Sequence, residues 1–222
     1  FLMHLAACFV VIVLNNQLKR YGGDMAIATF GIANRFMFFF SMIVMGLNQG
    51  MQPIVGYNYG AQLYPRMIRT FKLTAMLATG VMGILWLFGV VWPEGFIRLF
   101  THDAELIAQS IAPARVTLCV MFMVGFPMVT GNFYTSIGMS SKAIFLSLSR
   151  QVLFLIPLIL LLPHVLESLS FTSHISPIWG VWWSLPISDA MSAIMAAVLI
   201  NHDMRKFWMK KDGVTVDPPL RD

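Results

Sequence analysis

Six stretches of about 20 mostly apolar residues follow one another with only short polar breaks, and this pattern constrains the chain more than any other feature. A bilayer core about 30 Å thick is crossed by that length of helix, because each residue adds about 1.5 Å. The stretches are 1–17, 25–50, 73–92, 107–137, 143–162 and 177–200. The fourth is long enough to be tilted or kinked and holds Pro113 and Pro127, with a bend expected at Pro127; the fifth holds Pro157 and the sixth Pro186. With 58% hydrophobic and 11% charged residues, and a mean hydropathy of +0.74, the chain cannot cover a soluble surface. Disorder and a disulfide-stapled secreted module are excluded by the same composition. The expected fold is an all-α integral membrane bundle of six transmembrane helices over 1–200, followed by a cytoplasmic basic tail over 201–222.

Loop charges set the orientation. Arg66, Arg69, Lys72, Lys142, Arg205, Lys206, Lys210, Lys211 and Arg221 fall on one side, against Lys19, Arg20 and Arg98 on the other. The richer side is cytoplasmic by the positive-inside rule, which puts both ends of the chain in the cytoplasm. Scattered in this way, the net charge of +5 reads as juxtamembrane anchoring and not as a nucleic-acid surface. Trp92, Trp179, Trp182 and Trp183 fall near span ends, where aromatic belts belong. Cys8 and Cys119 read as small core hydrophobes, with no disulfide or metal implied. Position 1 is Phe and the chain enters an apolar segment at once, so a piece of a longer polypeptide is expected. His4, His102, His164, His174 and His202 are dispersed, no phosphate loop or nucleophile elbow occurs, and no enzyme is expected.

Polar groups inside the spans carry the functional information, since a charge in hydrocarbon costs at least about 2.5–3.5 kcal/mol. Asp189, Arg150 and Arg35 lie about midway along the sixth, fifth and second spans and form the candidate buried charge network. Asp189 and Arg150 are expected to pair, because consecutive helices on a short loop pack side by side. Such a pair is either part of a relay or a static clamp on helix register. Asn34, Ser41 and Asn48 recur every seven residues along one face of the second span; Gln52 continues it and Gln49 lies beside it. The fourth span ends in Thr130, Asn132, Tyr134, Thr135 and Ser136. From these, Asn34, Ser41, Asn48, Gln49, Gln52, Asn132 and Tyr134 are the cavity and substrate candidates. Ser184, Ser188 and Ser192 repeat every four residues, a spacing that suits close helix packing.

The most distinctive stretch is GLNQGMQPIVGYNYGA, Gly46 to Ala61. Gly46, Gly50, Gly56 and Gly60 allow close backbone approach, and Pro53 should end or kink the helix, so the segment reads as a hinge or packing point. It resembles the signature of the MATE family, the multidrug and toxic compound extrusion transporters, in Gln49-Gly50, Gln52-Pro53-Ile54 and Gly56-Tyr57-Asn58-Tyr59-Gly60-Ala61. Tyr21-Gly22-Gly23-Asp24, Arg98-Leu99-Phe100 with Asp103, Ser149-Arg150-Gln151 with Ile156-Pro157, and Pro186 with Asp189 agree with the family in order.

The resemblance implies one half of a twelve-helix transporter, here the C-terminal six-helix lobe lining one wall of the substrate cavity. It implies export of small organic, often cationic, compounds in exchange for Na+ or H+. No other cofactor is expected. The partners it implies are the N-terminal six-helix lobe of the same polypeptide and membrane lipid, in the cytoplasmic membrane. The first and fourth spans here lack the interior acids that some members use for the coupling cation, so that ion is expected in the N-terminal lobe. The alternative is a flippase of lipid-linked precursors, which belongs to the wider superfamily and favours a more basic cavity. A further alternative is a non-transporting membrane subunit.

Overall fold

The computed structural model describes residues 2–169 and 176–211. His174, Arg221, Phe1 and the tail from 212 onward lie outside the described residues. Among the described residues the chain is helical and has no strand: α1 (Leu2–Gly60), α2 (Tyr64–Val91), α3 (Pro93–Ile97), α4 (Ala104–Leu118), α5 (Met121–Ser136), α6 (Ser140–Leu148), a π-helical run (Ser149–Leu155), α7 (Ile156–Leu169) and α8 (Ile178–Lys211).

These elements make the six passes. Gly23, at φ 66° and ψ −162°, breaks α1 into limbs 2–22 and 24–60. A residue with a Cβ avoids that conformation. The turn is also tight: a Cβ at Gly22 would lie 2.1 Å from Ile178 Cδ1 and 2.6 Å from Ala26 Cβ. The α2, α6-to-α7 and α8 segments are each long and apolar enough to cross a membrane. α4 and α5 together make one span bent by 48°.

That bend lies at Cys119–Val120 and not at Pro127, through which α5 runs unbroken. Trp86 Nε1 donates to the Cys119 carbonyl at 2.7 Å, so the broken turn gains a partner from α2. Asp103 caps α4, its Oδ1 accepting from the Glu105 and Leu106 amides at 3.0 and 3.4 Å. Pro53 likewise leaves α1 intact to Gly60; it sits on an exposed face beside Gln49, where the carbonyl it leaves unbonded is not trapped in the core.

Apolar faces close the bundle. Met67, Phe71, Ala75, Ala78 and Met82 form one buried stripe of α2, packed against the second limb of α1, α5 and α8. The first limb of α1 packs through Leu14 and Leu18 against Ile159 of α7 and Trp182 of α8. Trp182 is therefore core, 2% exposed, and not part of an interfacial belt. Cys8 is exposed and Cys119 half-buried, both as free thiols. Gly180 brings α8 onto α7, since a Cβ there would lie 2.6 Å from the Pro163 backbone nitrogen. α8 does not end at Ile200 but continues as helix to Lys211. Ala196, Ile200, Asp203 and Phe207 make one continuous buried face, so the first turns of the expected tail belong to the fold.

Candidate functional site

The functional geometry begins with a proline. Pro157 has no amide hydrogen, and the helix before it widens into the π-helical run Ser149–Leu155, closed by the Ile156 amide donating to the Gln151 carbonyl. Arg150 stands in this run. Its Nε donates to Asp189 Oδ1 of α8 at 2.8 Å, while the Asp189 side chain is 4% exposed and that of Arg150 32%. The carboxylate is thus sealed between helices, and the arginine reaches it from the edge of an open space.

That space is a cavity of about 220 Å³ among α5, α6, the π-helical run and α8. Its wall carries Asn132, Thr135, Ser147, Arg150, Gln151 and Ser192, with Met128 and Leu146 as apolar surface. Two buried polar atoms of residues on this wall, Gln151 Oε1 and Ser192 Oγ, have no hydrogen-bond partner among the described residues. An unmatched buried acceptor or hydroxyl costs about 1–3 kcal/mol, so Gln151 and Ser192 gain when a side-chain rotation turns either atom into the cavity. Ser184 and Ser188, on the same face of α8, instead donate to the Val181 and Leu185 carbonyls of their own helix. The serine stripe therefore packs along most of its length and opens only at Ser192.

The polar face of α1 meets the cavity from one side. Gln52 Nε2 donates to Asn132 Oδ1 at 2.9 Å, and Asn132 Nδ2 donates to the Met128 carbonyl at 2.9 Å. Asn48 is 2% exposed with both side-chain polar atoms unmatched. Ser41 donates to the Met37 carbonyl. Asn34 and Gln49 are exposed, away from the cavity wall. Of the signature glycines, Gly56 packs closely, a Cβ there lying 3.3 Å from the Ser136 carbonyl oxygen; at Gly46, Gly50 and Gly60 a Cβ would meet open space.

Two candidates belong elsewhere. Arg35 is exposed and is in none of the ion pairs among the described residues, so the charge network is a pair and not a triad. Tyr134 is 0% exposed, and its hydroxyl donates to Asp203 Oδ2 at 2.8 Å, so it is not a cavity-wall residue. Lys142 Nζ reaches the same Asp203 oxygen at 2.6 Å and lies 5.6 Å above the Tyr134 ring. Next to this knot, Tyr64 stacks on Phe207 with Tyr59 edge-on to both. The sequence hides this second buried cluster, because by composition 201–222 reads as a basic tail. The signal was present in Ile200, Asp203 and Phe207, whose spacing continues a helix face.

The comparisons with known proteins agree with this architecture. The chain is 27% identical over 218 residues to the multidrug export protein MepA of Staphylococcus aureus, covering 98% of this chain and 44% of MepA. It is 24% identical over 217 residues to MepA of Staphylococcus saprophyticus, with the same shares covered. Among solved structures it is similar to the MATE multidrug transporter DinF-BH, at 39% identity and a TM-score of 0.76, over 94% of this chain and 44% of that one. A MATE structure in the bent conformation superposes with a TM-score of 0.81 over 96% of this chain and 45% of that one; at 18% identity it speaks for the fold alone. The chain thus spans less than half the length of the relatives it matches, and its fold is that of one lobe. The MatE family model matches residues 1–161, and with that match this multi-pass membrane chain belongs to the MatE family.

Proposed function

We propose that the protein exports drugs and other toxic small organic compounds across the cytoplasmic membrane, exchanging them for Na+ or H+ by alternating access. This chain is its C-terminal six-helix lobe. The observation that carries the reading is the cavity beside Arg150, whose wall holds two buried polar atoms without partners. The names of MepA and DinF-BH support multidrug export as the activity. Ser147 and the part-exposed Arg150 bring polar groups to the cavity wall for a substrate, and Met128 offers a surface that adapts to different shapes.

We assign Asn34 and Gln49, with Gly46 and Gly50, to the surface that meets the N-terminal lobe, where small residues permit close approach. The coupling ion is assigned to that other lobe. Both aspartates buried in this one already hold a cation, Asp189 with Arg150 and Asp203 with Lys142. The loop charges support a cytoplasmic position for both ends of the chain. The protein's work is translocation, with no bond made or broken in the substrate.

The Arg150–Asp189 pair also separates efflux from the flippase reading. A paired arginine leaves this wall close to neutral, which suits neutral and cationic compounds better than a lipid-linked pyrophosphate. The test is dye or drug accumulation in everted vesicles containing the full-length protein, with Na+ and proton gradients imposed separately. Accumulation driven by one gradient and abolished by collapsing it is expected. No drug movement under either gradient, in folded protein, contradicts efflux and favours the flippase.

A further inference from the structure

A second opening lies between α2, α5 and α8, lined by different residues of α5 and α8 than the cavity beside Arg150. One part, of about 630 Å³, has Lys72 and Arg205 at one end and Phe71, Ala75 and Ile200 along its floor. The next part, of about 350 Å³, is lined by Phe122, Ile194 and Ala197. Thr79 and Phe126 line both, so the two parts form one groove with a charged head and an apolar tail.

Three features define what fits it. Lys72 and Arg205 are exposed, and neither is in an ion pair among the described residues. The nearby Asp203 is already held by Lys142 and Tyr134. Met76 and Ile194, on the groove, are 70% and 61% exposed, so it opens on the outer apolar surface of the bundle. Along α8, the rise from Ile194 to Arg205 is about 17 Å at 1.5 Å per residue. Half of a hydrocarbon core is about 15 Å, so the groove has the length of one leaflet.

We propose that this groove is a binding site for one anionic phospholipid, its phosphate between Lys72 and Arg205 and an acyl chain running past Phe126 toward Ile194. Two cations over an apolar channel match that amphiphile in charge, polarity and length. A free anion uses only the head of the groove, and a zwitterionic lipid brings a cation of its own against Lys72 and Arg205.

Native mass spectrometry of the full-length protein, titrated with phosphatidylglycerol or with phosphatidylcholine of the same chains, tests the site. Phosphatidylglycerol should be retained at least tenfold more tightly, and glycerol phosphate at least tenfold more weakly than the lipid. Lys72→Ala with Arg205→Ala should erase the headgroup preference while leaving the melting temperature in detergent unchanged, since both side chains are exposed. Ala197→Trp, which fills the tail, should weaken retention of both lipids. Equal retention of the two lipids, a preference that survives the double substitution, or glycerol phosphate binding as tightly as the lipid would overturn the proposal.

Discussion

Asp189 and Asp203 sit on one helix, each buried and each bonded to a cation, at 2.8 and 2.6 Å. Their surroundings differ. Asp203 has Lys142 and the fully buried Tyr134 as partners, with the rings of Phe207, Tyr64 and Tyr59 packed beside them. Among the described residues Asp189 has Arg150 as its partner, and Arg150 borders a cavity where Gln151 Oε1 and Ser192 Oγ lack partners. A buried charge whose neighbours are all matched holds helices together. A buried charge beside unmatched polar atoms and open volume leaves capacity for something else to bind. The first cluster clamps the end of α8 to α5 and α6, and the second is the candidate substrate wall.

The largest expected effect breaks the clamp. Asp203→Leu strands the buried Tyr134 hydroxyl and frees the part-exposed Lys142, and the full-length protein should lose about 3 kcal/mol, read as a lowered melting temperature and less folded protein in the membrane. Gly180→Leu comes next. Its side chain would meet the Pro163 backbone at the α7–α8 contact, costing about 2–3 kcal/mol and pushing apart the helices that carry Arg150 and Asp189. Transport should fall with it, whereas the Lys142–Asp203 bond, between α6 and the far end of α8, should survive as judged by double-mutant coupling.

Asp189→Asn is expected to cost less stability than the Asp203 change, about 1 kcal/mol, because the asparagine oxygen still accepts from Arg150 and no second buried partner is stranded. Its transport rate in vesicles should nevertheless drop at least tenfold. Equal stability losses at the two aspartates would erase the contrast between them. Ser192→Ala should be the mildest, within about 0.5 kcal/mol of the parent, since its hydroxyl has no partner to lose. A changed KM for some substrates, with folding intact, is the outcome that sharpens the comparison.

The sequence makes the six passes and the Arg150–Asp189 contact legible for simple reasons. Hydrophobic length defines a span, and charges at equal depth on consecutive helices have few other partners in lipid. What stays hidden depends on which way a side chain turns. Tyr134 lies in the same polar cluster as Asn132 but is two positions further on, so it turns away from the cavity and toward Asp203. Arg35 has the right depth but the wrong face of α1. Pro127 and Pro53 do not break their helices, whereas Pro157 reshapes the turn before it into the π-helical run that carries Arg150. The presence of a proline is visible in sequence; whether a neighbouring group re-satisfies the freed carbonyl is not. The second buried cluster is missed for a different reason, namely that α8 extends beyond the apolar stretch that marks its membrane span.

The central claim is that the cavity beside Arg150 belongs to the substrate path. The most direct measurement is the labelling rate of Ser147→Cys in the full-length protein by a water-soluble thiol reagent, with every other cysteine, Cys8 and Cys119 included, replaced by alanine and with or without a transported dye. Labelling that proceeds in the empty protein and slows at least several-fold with saturating dye is expected. Labelling at the same rate with and without dye would contradict the assignment of this wall to the transport path.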